Sequence, residues 1–167
     1  MSVGGAVDRD ALSGEQEVVR FLEAWEEIER AYLDKLTVAF DSAPSWREGL
    51  RAAAAETVRC VEERPQEARL LVVEPLFVGP SGRACLDGLL ERAAALIDRG
   101  RAERPDPGAV PATVGRWVAS TFYDRVHRAL TAAGPGESLE AAIPHLLFLA
   151  VSAYLGPEAG AEELGRD

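Results

Sequence analysis

Asp124 and His127 stand three residues apart, a spacing that puts a carboxylate and an imidazole on one helical face. Doubled in the form Glu-x-x-His, such a motif holds two metal ions inside a helical bundle. No second copy accompanies it, because the other histidine, His145, follows Ala142 rather than an acid. Zinc needs several Cys or His ligands at short spacing; Cys60, Cys85, His127 and His145 are scattered. The turn Gly79-Pro80-Ser81-Gly82 lacks the lysine and the preceding strand of a phosphate loop. No G-x-S-x-G nucleophile elbow occurs. The expected catalytic, metal and cofactor sets are therefore empty, and the chain reads as a non-enzyme. The histidines read as structural or interfacial and the cysteines as small helix-core residues of a reducing compartment.

Aromatic and acidic side chains remain. Trp25 and Tyr32 fall two turns apart on one helical face. Glu74 interrupts the apolar run Leu70-Leu71-Val72-Val73-Glu74-Pro75-Leu76-Phe77. A carboxylate in such a run must find a partner or face water or a cavity. One reading pairs it with Arg69 or Arg59 or turns it to solvent, with the aromatics as ordinary core. The other places Trp25, Tyr32, Glu74, Phe77 and Trp117 around a small-molecule pocket between helices.

The bulk properties fit one soluble domain. With 167 residues, 47% hydrophobic and 28% charged, the chain can bury a core without disulfides or metal. Its net charge of −10 argues against direct nucleic-acid binding, which needs clustered Lys and Arg. The longest apolar run, Ala141 to Leu155, is broken by Pro144 and His145 and falls short of the roughly 18 residues of a membrane span. Residues 1–14 carry charges and no apolar core; they read as a disordered leader, not a signal peptide. The expected compartment is the cytoplasm, with no membrane partner.

Periodicity predicts six helices and no strand. The first, Glu15 to Phe40, carries the stripe Val18, Phe21, Leu22, Trp25, Ile28, Tyr32, Leu36 and Phe40. The second opens at Ser45, with Glu48 completing a capping box. Pro65 starts a short third helix that Pro75 should bend or stop. The fourth runs Ser81 to Arg99, and a polar loop follows to Ala109. Pro111 to Ala133 and Ser138 to Leu155 form the last pair, joined by Ala133-Gly134-Pro135-Gly136-Glu137. A short turn from Pro157 and a frayed 165–167 complete the single all-α domain, residues 15–164.

The last pair carries a surplus of apolar surface. Leu146-Leu147-Phe148-Leu149 points nearly all round its helix, which must be covered on more than one side. Either it is the central post of the domain or a second copy covers it.

The chain resembles the C-terminal regulatory domain of TetR-type transcriptional regulators over roughly Val18 to Leu164. The resemblance rests on helix order and on two phrases. One is Pro65-Gln66-Glu67-Ala68-Arg69-Leu70-Leu71-Val72-Val73-Glu74 before Gly79-Pro80; the other is Leu146-Leu147-Phe148-Leu149 leading to Ala153-Tyr154-Leu155-Gly156-Pro157. It implies an effector-binding helical bundle whose last two long helices pair with those of a second subunit as a four-helix bundle. The homodimer interface would then comprise Val118, Phe122, Val126, Ile143, Leu147, Ala150 and Tyr154. The family's DNA-binding helix-turn-helix is missing here, so no residue of this chain inherits DNA contact. The expected function is a regulator's effector domain binding a small, largely apolar ligand and dimerising. The alternative is a stand-alone, non-enzymatic interaction module that sequesters a regulator or senses a small molecule.

Overall fold

The computed structural model describes residues 9–132 and 138–165, with side chains from Gly14 onward. It is all-helical, with no strand among the described residues. Seven α-helices follow in order: α1 (Arg9–Asp41), α2 (Trp46–Glu63), α3 (Pro65–Val72), α4 (Pro80–Asp98), α5 (Val114–Thr131), α6 (Leu139–Leu155) and α7 (Pro157–Leu164). The first helix begins at Arg9 rather than Glu15, so residues 9–14 are helical and only 1–8 of the expected leader lie outside the described residues. The linker 133–137 and the last two residues of the expected frayed tail also lie outside them.

Local chemistry sets most boundaries. Ser45 Oγ accepts from the Glu48 amide at 3.3 Å and opens α2. Ser138 Oγ accepts from the Ala141 amide at 3.0 Å and opens α6. Pro65, Pro80 and Pro157 each stand in the first turn of a helix, where a missing amide proton costs nothing. Pro75 acts as expected: α3 ends at Val72, and Glu74–Phe77 tightens into a 3-10 turn. Gly79, at φ 72°, makes the reversal into α4 that other residues resist.

Two apolar clusters hold the bundle. One gathers Phe40, Trp46, Leu50, Ile97, Val118, Leu147, Val151 and Tyr154. Its ring pair Trp46–Tyr154 lies 5.2 Å between centroids, and Trp46 Nε1 donates to the Ile97 carbonyl at 3.1 Å. The other gathers Trp25, Val58, Leu71, Val72, Leu89 and Val126.

The apolar surplus of α6 is covered largely within the chain. The segment after Pro157 is a helix rather than a turn, and α7 packs closely on α6, as do α5 and α2. Leu149 is the large apolar side chain of α6 that stays exposed. Gly156, at φ 96°, makes the fold-back possible. Arg47 and Arg51 of α2 then hold α7 by its buried Glu163, with Arg51 Nε at 2.8 Å and Arg47 Nε at 2.7 Å.

Candidate functional site

Alanines create the most suggestive feature of the bundle. Ala53 and Ala54 on α2, Ala93 on α4 and Ala119 on α5 face one another across its middle. Methyl groups cannot fill the space between helices set apart by larger side chains elsewhere. A cavity of about 140 Å³ remains, bounded by α1 to α5. That is close to the roughly 150 Å³ of an apolar protein cavity able to hold benzene.

The lining is uneven. The α4 and α5 side is apolar apart from the Tyr123 phenol, with Leu89, Leu90, Leu96, Ile97, Phe122 and Val126. Polar groups gather where α1, α2 and α3 meet: Tyr32 and Lys35, Thr57, Cys60 and Arg64, and Glu67. Tyr32 and Lys35 are one turn apart on α1, Thr57 and Cys60 are one turn apart on α2, and Arg64 stands at the C-terminal cap of α2.

The hydroxyl pair has a defined sense. Thr57 Oγ1 donates to the Ala53 carbonyl at 3.0 Å, which uses its only proton. Tyr32 is therefore the donor in the 3.0 Å contact between Tyr32 Oη and Thr57 Oγ1. The Tyr32 oxygen keeps its own acceptor capacity. Loss of water around the phenol pushes its pKa up to about 12, against the opposing pull of the Thr57 bond. Burial likewise raises the Cys60 thiol, partly countered by the nearby Lys35 cation.

The carboxylates here are matched and the lysine is not. Glu67 pairs with Arg64 at 3.4 Å, and neighbouring Glu56 pairs with Arg59 at 2.8 Å. Lys35, the chain's single lysine, is half-buried and makes no hydrogen bond or ion pair among the described residues.

Of the five residues expected at a pocket, Tyr32 alone lines the cavity. Trp25 is 2% exposed, but it is core, with Nε1 donating to the Leu71 carbonyl at 3.3 Å. Glu74 is exposed on the 3-10 turn, where it faces water, and it pairs with neither arginine considered for it. Arg69 instead donates to the Leu130 carbonyl at 2.6 Å. Phe77 is 83% exposed, because the tight turn after Pro75 throws its ring outward. Trp117 is 65% exposed on the outer side of α5.

The expected dimer set needs a similar correction. Ala150 and Tyr154 have no exposed surface, Leu147 is 3% exposed, and Val126 is buried, all in the chain's own core. Ile143 packs against both clusters. Only Val118 and Phe122 reach the outer groove between α5 and α6, alongside Trp117, Thr121, Leu149 and Ala153. The apolar side chains left in solvent on this pair are Trp117 and Leu149, the latter 48% exposed. The reason is one of helical phase: the side of α6 that bears Ala150 and Tyr154 turns inward to the cluster of Phe40, Trp46, Ile97 and Val118, while α7 packs on the Phe148 and Ser152 side.

The sequence does not single out Lys35, Thr57, Cys60 and Arg64 as site residues: Thr57 and Cys60 read as part of a helix core, and Lys35 and Arg64 as ordinary surface charges. Among the described residues, no three His, Cys, Asp or Glu side chains gather into a metal-holding group. No described helix is long and apolar enough to cross a membrane. No protein-family model, curated protein or solved structure matches the chain.

Proposed function

We propose that this chain is the effector-binding and dimerisation domain of a TetR-like transcriptional regulator. The cavity carries this reading. A well-packed bundle of this size has few voids larger than a water, and this one is benzene-sized, largely apolar and bordered by a polar edge. A small ligand filling it would tie α1, α2, α4 and α5 together and favour one arrangement of α5 and α6. The dimer partner would meet the Trp117 and Leu149 face. Contact with DNA would come only through a helix-turn-helix domain outside this sequence.

Toluene is a fitting first probe. It should raise the melting temperature of the chain, since a ligand that binds only the folded state stabilises it by mass action. Ala93→Leu, which fills the cavity, should remove that response while leaving the protein folded. Equal responses of both proteins would place toluene elsewhere and reject the cavity as the ligand site.

A further inference from the structure

We propose that the cavity selects a single-ring aromatic acid, with its ring in the apolar chamber and its carboxylate on Lys35. This rests on the cavity being a ligand site and specifies what that site takes.

Size sets the body of the ligand. About 140 Å³ admits one six-membered ring. The rings of Tyr32, Phe40, Phe122 and Tyr123 contribute to the walls. Aromatic faces pack offset or edge-on against another ring, which favours a flat aromatic guest over a branched aliphatic one of equal volume.

Charge sets the head group. The acids on or beside the polar edge already have arginine partners, Glu67 with Arg64 and Glu56 with Arg59. Lys35 is left over, half-buried at the wall, with no described partner. A partly buried ammonium is stabilised by an anion, and an ion-paired hydrogen bond is stronger than a neutral one. Arg64 also lines the polar edge but is paired with Glu67; in a chain of net charge −10, the Lys35 cation is the feature that distinguishes an acid from a neutral ring. Tyr32 adds a second point of recognition. Its proton is committed to Thr57, so its oxygen can accept from a hydroxyl on the guest.

Benzoate and toluene, titrated into the full chain by calorimetry, separate these claims. Benzoate should bind wild type more tightly than toluene. Lys35→Met and Lys35→Gln should each weaken benzoate about tenfold or more, the scale of one charge-assisted contact. Toluene binding should be unchanged in both, which also shows that the chamber remains folded. Lys35→Arg should keep benzoate binding. If benzoate bound no better than toluene, or if Lys35→Met and Lys35→Gln bound it as wild type does, the acid assignment would fall and the cavity would stand. If neither probe bound, the cavity itself would be lost as a ligand site, and the acid with it.

Discussion

Arg47 and Glu163 lie 116 positions apart in sequence and form one ion-paired contact, with Arg47 Nε 2.7 Å from Glu163 Oε1. Arg47 also reaches the Ala159 carbonyl at 3.1 Å and Glu162 at 2.9 Å, so one guanidinium grips α7 at three points. Arg51 adds a second donor pair to Glu163. Glu163 is 2% exposed. Burial alone would raise its pKa, but the hydrogen bonds from Arg47 and Arg51 outweigh that, and the carboxyl titrates below its ordinary value.

Glu163→Gln should therefore cost stability by about 2 to 3 kcal/mol near neutral pH, because two arginines lose a carboxylate partner inside the fold. A scan should show a melting temperature lower by roughly 5 to 10 °C. The sign with pH follows from the lowered pKa. The carboxylate's contribution is complete above the ordinary value of 4.5 and fades as pH falls through the depressed folded value. The gap between wild type and Glu163→Gln should close in acid. A gap that stayed constant from neutral pH down through that window would assign the stabilisation to packing.

Trp117 and Leu149 distinguish a dimer face from a core. Both are largely exposed, so Trp117→Glu with Leu149→Glu should leave the monomer fold intact. If the proposed dimer uses this groove, light scattering should show the mass falling from twice 17.9 kDa to 17.9 kDa with helicity unchanged. Ala150→Glu should behave differently. Its site has no exposed surface, and a buried unpaired carboxylate there should unfold the domain. A wild-type chain of monomer mass would dismiss the dimer.

Gly160 and Ser152 report on the α6–α7 contact. A Cβ on Gly160 would overlap Ser152 Oγ and lie 2.9 Å from the Phe148 carbonyl oxygen. Gly160→Ala should thus destabilise by about 1 to 3 kcal/mol, the usual range for overpacking. Ser152 Oγ is buried and has no hydrogen-bond partner among the described residues. Ser152→Ala should leave the melting temperature unchanged or raise it by a few degrees, since it deletes an unsatisfied hydroxyl. A large loss on Ser152→Ala would mean that the hydroxyl is bonded in solution.

The helices were largely legible in the sequence because capping and proline chemistry are local. Ser45, Pro65 and Ser138 open helices where their side chains predict. The error over α7 was also local: Pro157 to Leu164 is eight residues, short enough to read as a turn, and its stability comes from Arg47 and Arg51 far away in sequence. The placing of Ala150 and Tyr154 at a dimer face has a different origin: it follows from the family resemblance, whereas in the fold both side chains pack inward beside Trp46 and Val118. The cavity was hidden for a different reason. It is defined by side chains too small to fill a gap, and Ala53, Ala54, Ala93 and Ala119 carry no individual mark in the sequence. Lys35, next to Tyr32 in the helical repeat, was the available clue.

The tyrosines give a readout of the whole fold under alkali. Burial raises the pKa of each of the three: Tyr32 to about 12, and Tyr123 and Tyr154 above their ordinary value, with Tyr154 raised further by its hydrogen bond to Asp98. A phenol whose folded pKa lies above its unfolded one stabilises the native state fully below the unfolded value of 10. That contribution is lost as pH rises toward the folded value. Ultraviolet titration should accordingly show little phenolate absorbance at pH 10, where exposed tyrosines would be half ionised. Absorbance should then rise together with the loss of helical circular dichroism. Tyr32→Phe should remove part of the late signal. It should also lower stability by about 1 kcal/mol at neutral pH through the lost bond to Thr57. Ionisation centred near pH 10 with the helices intact would mean that the phenols are solvated in the native protein, and the enclosed Tyr32–Thr57 edge of the cavity would have to be abandoned.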